Sequence, residues 1–238
     1  MRIRAVIFDV YQTLLEVGPP PADPAARWEK LWHEQLNTAA RLSLTEFTAA
    51  CDALIAREHA VARKAGISFS EVFWPAIVAD VLPELSELSF ASRDEFLFRH
   101  TQIIRTVRLM PGAAEALYML RDAGVMLGIA SNAQPYTLRE IEATGLSLAL
   151  FNPDLCFWSF AHGFSKPDAH VFRILTARLR AAGVVTAEVL MVGDRLDNDI
   201  APAQAQGWQT WHLDTNTAGP MSGDWRRLRM WMESSLGR

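Results

Sequence analysis

The feature that most limits what this chain can fold into is a set of short apolar runs, far apart in sequence, that each stop at polar residues. Residues 3–8 are apolar apart from Arg4 and stop at Asp9. Residues 126–130 and 189–192 are built alike, 208–213 is a weaker version, and 155–158 could add another. Runs of this length read as strands buried on both faces, as in a parallel sheet covered by helices. Helical patterns lie between them. Residues 113–123 follow Pro111-Gly112 and stop at Gly124, 137–144 stop at Gly145, and 169–182 stop at Gly183, the start and stop signals helices use. Alternating strand and helix predicts an α/β fold: a Rossmann-like, doubly wound parallel sheet.

Residues 16–106 interrupt that alternation. A stiff Gly18-Pro19-Pro20-Pro21 connector opens the stretch, and the rest is expected to be helical throughout. Trp28, Leu31, Trp32, Leu36 and Ala39 share one helical face; so do Phe47, Cys51, Leu54, Ile55 and Val61. Val72, Phe73, Ala76 and Ile77 repeat the pattern, as do Phe96, Ile103, Ile104 and Val107. The expectation is a helical bundle inserted after the first strand, its aromatic residues forming a core rather than a ligand box. The domains would be 1–15 with 107–238 as the core, and 16–106 as the insert.

Four polar elements sit where strands end, the place where open α/β sheets bind ligands. Asp9 could be a turn residue, or a carboxylate that attacks an electrophile. Ser131-Asn132 could cap a helix, or donate hydrogen bonds to an anion. Lys166, in Ser165-Lys166-Pro167-Asp168, could be a solvated loop lysine, or a charge that stabilises a reacting anion. Asp194, Asp197 and Asp199 fall within six residues. Helix-start pairing explains one of them more easily than all three, whereas clustered carboxylates suit a hard cation such as magnesium.

In this order and placement, the four elements resemble the motifs of the haloacid dehalogenase-like hydrolase superfamily, in the branch with a helical cap between the first and second motifs. The match runs through Asp9 to Thr13, Ser131, Lys166-Pro167-Asp168 and Gly193-Asp194 to Asp199, and so spans essentially the whole chain. The resemblance implies that Asp9 is a nucleophile, transiently esterified. Ser131 would bind the transferred group with Asn132 beside it, Lys166 would balance charge, and Thr13 would support the first loop. In phosphatase members, Mg2+ would be held by Asp9, the backbone carbonyl of Tyr11 and Asp194. Asp199 would orient the lysine and metal-bound water. The cap would close over the site and select the substrate.

Two departures pull against each other. Phosphatases of this family usually carry a second aspartate two residues after the nucleophile, as general acid and base. Here that position is Tyr11, a phenol, and an aspartate-x-tyrosine start resembles the 2-haloacid dehalogenases, whose halide leaves without a proton. Yet Asp194 and Asp199 keep the metal-competent form of the fourth motif, where dehalogenases resemble a serine-bearing, metal-free form. Dehalogenases also use a cap arginine; Arg27, Arg41, Arg57 and Arg63 are available. Gln12 stands where the family usually has glycine. Loss of the metal harms phosphoryl transfer more than loss of an acid, whose help is typically worth roughly 10²–10⁴-fold. The expectation is therefore a Mg2+-dependent phosphatase acting on a small phosphorylated metabolite, slow or matched to a good leaving group. The alternatives are a metal-free 2-haloacid dehalogenase and a catalytically weak binding descendant.

A net charge of -4 gives no electrostatic case for nucleic acid or an anionic membrane, and no apolar run is long enough to span a bilayer. With two isolated cysteines, Cys51 and Cys156, and a start charged too soon for a signal peptide, the expectation is a cytoplasmic monomer or homodimer. The basic, tryptophan-flanked run 225–231 reads as the solvated face of a last helix, with a dimer contact as the alternative.

Overall fold

The computed structural model describes residues 2–214 and 219–236. The chain opens with β1 (Ala5–Phe8) and β2 (Leu15–Gly18). Four helices follow, α1 (Pro24–Leu36), α2 (Leu44–Lys64), α3 (Trp74–Val81) and α4 (Phe90–Ile104). Then come β3 (Thr106–Leu109), α5 (Ala113–Asp122), β4 (Met126–Ser131), α6 (Tyr136–Ala143), β5 (Cys156–Trp158), α7 (Ser159–His162) and α8 (Ala169–Ala181). The last elements are β6 (Val189–Gly193), α9 (Ala201–Ala205), β7 (Gln209–Leu213), β8 (Ser222–Gly223) and α10 (Trp225–Leu236).

Six strands form one parallel sheet in the order β5-β4-β1-β6-β7-β8. β1 lies between β4 and β6, with Phe8 opposite both Ile129 and Val192. Its four residues are fully buried, and they alternate between two cores. Val6 and Phe8 pack toward α5 and α10, while Ala5 and Ile7 pack toward α8. That two-sided burial is why the run reads as continuously apolar. The chain winds from β1 outward to β4 and β5, then crosses back to β6. The crevice beyond the carboxyl ends of β4, β1 and β6 is thus the switch point at which such sheets bind ligands.

The insert differs from expectation at its ends. β2 and β3 pair antiparallel, Leu15 opposite Leu109 and Gly18 opposite Thr106, so a two-strand ribbon and not helix joins it to the sheet. Between them α1–α4 enclose their own core. Trp28 stacks on Phe47 with centroids 4.9 Å apart and meets Trp32, Phe96 and His100 edge-on, pairings that add to simple area burial. Burial pushes His100 down to about 4, so the ring is neutral. Periodicity overextends some faces. Ala39 lies past the end of α1, Val61, Phe73, Ala76 and Ile104 are exposed, and Val107 belongs to β3.

Trp225, which begins α10, is buried, not a surface contact. Its ring stacks on Phe8 at 5.8 Å, and its indole N–H donates to the Thr13 carbonyl at 3.0 Å. Among the described residues no helix is long and apolar enough to cross a membrane.

Gly128 of β4 faces Ile7 across the sheet, and a Cβ there would collide with the Leu155 carbonyl and the Ile7 side chain. Gly128→Ala is therefore expected to destabilise the protein by about 2 kcal/mol or more. A urea midpoint equal to that of the parent would contradict this packing.

Candidate functional site

The site starts from backbone geometry. The Asp9 N–H donates to the Val192 carbonyl at 2.9 Å, continuing the sheet one residue past β1. The chain then turns sharply: the N–H groups of Thr13, Leu14 and Leu15 all reach the Val10 carbonyl. Gln12 takes a left-handed backbone, φ 58°, inside this turn. Glycine adopts that conformation freely, whereas other residues are strained in it by roughly 1 kcal/mol. The glutamine therefore keeps the turn that glycine permits.

Three loops converge on Asp9. Lys166 sits between two acids, its ammonium 2.7 Å from Asp9 Oδ1 and 2.5 Å from Asp199 Oδ1. Lys166 and Asp199 are buried, and Asp9 nearly so. The loop carrying Lys166 is held by Asn132. Its amide Nδ2 donates to the Lys166 carbonyl at 2.9 Å, and its Oδ1 accepts from the Lys166 N–H at 2.7 Å. Both ends of the Asn132 side chain are thus used on backbone. Gly193 ends β6 against the Asp199 carboxylate, which any Cβ there would strike. The Asp194 carbonyl accepts a hydrogen bond from His212 at 2.9 Å.

Carboxylate atoms of Asp9, Asp194 and Asp199 lie within 4.8 Å of one another. Asp197 does not join them; it pairs with Arg195 at the surface. Three acids against one lysine leave an excess of negative charge. Burial pushes Asp9 up to about 6 against the pull of Lys166, with Asp199 adding to the rise. Burial and Asp199 also raise Asp194. Burial alone would favour a neutral Lys166, but the two carboxylates outweigh it and keep the lysine charged. A divalent cation fits this donor set, since carboxylate oxygens are hard ligands and the cation would offset the excess negative charge.

Ser131 ends β4 and Thr13 lies in the first turn. Both hydroxyls are buried, and neither has a hydrogen-bond partner among the described residues. Each is a donor left for another group to satisfy. The Tyr11 phenol turns to α6 and the end of α4. It donates to Glu140, lies 2.8 Å from Thr137 Oγ1, and accepts from Arg105 at 2.8 Å. Arg105 also grips both Glu140 oxygens and covers the Tyr11 ring, 4.6 Å from its centroid.

Asp9, Tyr11, Asn132, Lys166, Asp194 and Asp199 border one cavity of about 250 Å³, whose lining includes no residue of α1–α4. Arg27, Arg41, Arg57 and Arg63 are all exposed and none of them borders it. Arg41 pairs with Glu84, Arg57 with Glu58, and Arg27 donates to the Ala22 carbonyl. The insert meets the core through both backbone and side chains, with Arg139 of α6 paired to Asp94 and Glu95 of α4. Phe69 and Glu71 hydrogen-bond Ser165 and Gly163, and Gln134 bonds the Trp74 N–H, the Val72 carbonyl and the Glu71 carboxylate. Gln134, Arg105 and Glu140 escaped the sequence reading. Gln134 lies only two residues past Asn132, but nothing local signals its partners in the insert.

The raised Asp9 pKa has a sign that can be tested in metal-free buffer. Its carboxyl binds a proton more tightly folded than unfolded, so stability falls as pH rises from about 4 through 6. Asp9→Asn removes the buried charge and is expected to raise stability by roughly 2–3 kcal/mol at pH 8. That gain should shrink toward pH 4, and urea titrations at the two pH values would measure it. A mutant no more stable than its parent at pH 8 would argue against an uncompensated carboxylate.

The family model for haloacid dehalogenase-like hydrolases matches residues 3–207. A glyceraldehyde 3-phosphate phosphatase of Pyrococcus abyssi is 33% identical over 111 residues, 47% of this chain and 44% of that protein. A ribulose-1,5-bisphosphate 5-phosphatase of Halopiger xanaduensis is 34% identical over 108 residues, 45% of this chain and 43% of that protein. The matched segments thus span less than half the length of these curated relatives. Among solved structures, a 2-haloacid dehalogenase from Pseudomonas syringae superposes with TM-score 0.61 at 18% identity, over 98% of this chain and 99% of that one. A phosphatase from Thermococcus onnurineus gives TM-score 0.54 at 22% identity, over 98% of both chains. At such identities the structural likeness speaks for the fold alone. The family model, matching most of the chain, shows that this protein belongs to the haloacid dehalogenase-like hydrolases.

Proposed function

We propose that the protein is a Mg2+-dependent phosphatase that removes the phosphoryl group from a small metabolite through a phosphoaspartate on Asp9. The observation that carries this reading is the three-carboxylate cluster around a single lysine. Magnesium, held by Asp9, Asp194 and the Tyr11 carbonyl, would supply neutralisation of the charge on the transferring phosphoryl group. The unpartnered hydroxyls of Ser131 and Thr13 would donate to phosphoryl oxygens, and the Lys166 ammonium would hold Asp9 in line for attack. Asp199 would fix the lysine, and Asn132 would fix the loop that presents it. Residues 16–106 would act as a cap, closing through the contacts of residues 69–74 to exclude water.

The names of the two curated relatives favour phosphoryl transfer to water. A 2-haloacid dehalogenase would explain Tyr11, but it would call for a cap arginine at the cavity, and none of Arg27, Arg41, Arg57 and Arg63 borders it; the arginine that does, Arg195, lies in the fourth motif and pairs with Asp197.

The test is an assay of the purified protein with an aryl phosphate, with and without Mg2+, and with a 2-haloacid, each beside Asp9→Asn. Phosphate release is expected only with Mg2+, falling at least 10³-fold in the mutant (an order-of-magnitude expectation for loss of a nucleophile). Mg2+ is also expected to raise the melting temperature of the parent but not of Asp194→Asn. Halide release without metal would reverse the assignment.

A further inference from the structure

Tyr11 occupies the position from which a phosphatase of this family protonates its leaving group, and its surroundings remove it from that task. A phenol has one proton, and this one is donated to Glu140. To pass it to a leaving group, Tyr11 would have to abandon Glu140 and become a phenolate beside that carboxylate. The arrangement is also rigid. Arg105 is bound to both Glu140 oxygens and to the phenol, with its guanidinium over the ring. These residues come from the nucleophile turn, the end of the insert and α6, so the phenol cannot swing toward the cavity without breaking contacts on two elements.

The other groups lining the cavity do not replace it. Lys166 is bound to Asp9 and Asp199, and losing its proton would leave two buried carboxylates facing each other. Asn132 is committed to the Lys166 backbone and Arg195 to Asp197. Gln12 and Asn198 carry amides, which are not acids at neutral pH. Asp194 is engaged by the proposed cation and Asp199 by Lys166. The cavity therefore offers neither a proton for a departing alkoxide nor a free base for an incoming water.

We propose that this site serves phosphates whose leaving group departs unprotonated, acyl phosphates foremost, and that hydrolysis of the phosphoaspartate is its slow step. The proposal rests on the phosphatase reading above. In the first step an Asp9 oxygen forms a bond to phosphorus, and the bond from phosphorus to the leaving oxygen breaks. Its electron pair stays on that oxygen, which leaves as a carboxylate and takes up no proton. In the second step water attacks the phosphorus, the bond to Asp9 breaks and returns the carboxylate, and the water's proton passes to solvent. General acid–base help is typically worth roughly 10²–10⁴-fold. Its absence penalises alkyl esters in the first step and every substrate in the second, so the phosphoenzyme builds up.

The experiment uses the full chain in magnesium buffer with acetyl phosphate, glycerol phosphate and aryl phosphates of graded leaving-group acidity. kcat, kcat/KM and the pre-steady-state burst are measured, and phosphoenzyme is read by intact mass. The expected result is a kcat/KM that falls steeply as the leaving group becomes less acidic, with acetyl phosphate favoured over glycerol phosphate by about 10²-fold or more. The good substrates should share one kcat, and each should show a burst near one equivalent with phosphoenzyme present. Tyr11→Asp, which restores a carboxyl at this position, should flatten the dependence and shrink the burst. If acetyl and glycerol phosphate turn over at comparable kcat/KM with no burst, the leaving-group proposal is overturned while the phosphatase reading survives. If no member of the series is hydrolysed, both fall.

Discussion

The ammonium of Lys166, buried between Asp9 and Asp199, is the contact on which the rest of the site depends. Loss of the lysine would leave Asp9 and Asp199 buried and facing each other without a counterion, which is strongly destabilising. Here one cation serves two acids, with a third close by. The loops around it are arranged to keep it in place. Asn132 spends both ends of its side chain on the lysine backbone, Gly193 gives up a side chain so that Asp199 can approach, and His212 holds the carbonyl of Asp194. Even so, three carboxylates face one lysine, and the negative charge is not fully balanced.

A second constraint acts on the other side of Asp9. The Tyr11–Arg105–Glu140 cluster joins the nucleophile turn to the end of the inserted helices and to α6. It is nearly self-satisfied, carboxylate against guanidinium and phenol between them. Buried polar groups satisfied in this way rigidify their surroundings. The same contacts that steady the turn draw its phenol away from the cavity, so geometry and reactivity cannot be adjusted independently at this position.

Much of this was legible from residues alone, and what was missed has a common cause. Asp9, Ser131 and Asp194 could be placed at strand ends because apolar runs and glycine stops are local signals, and the sheet brings strand ends together; Lys166 instead lies past α7, well beyond the end of β5. The role of Asn132 was not legible, since nothing in Ser131-Asn132 says that its amide will clasp a loop far along the chain. Arg105 and Glu140 were missed for the same reason. The β2–β3 ribbon was missed because four-residue strands carry little periodicity, and pairing, not propensity, makes them strands. The exposed positions of Val61 and Phe73 show the converse limit: helical spacing groups side chains on a face, but it does not say whether another element covers that face.

The register of β1 also bears on how the chain acquires its structure. The strand that presents Asp9 is made before its neighbours on either side, which begin only at Met126 and Val189. During synthesis it must wait, unpaired, while the helices between collapse on contacts of their own. Closure of so long a loop is slow compared with helix pairing, so the insert should be formed before the sheet exists. The four loops of the site, drawn from both halves of the sheet, would then come together at the last stage of folding. Until then the apolar β1 is an exposed edge, and it is the segment through which a slowly folding chain would be expected to aggregate.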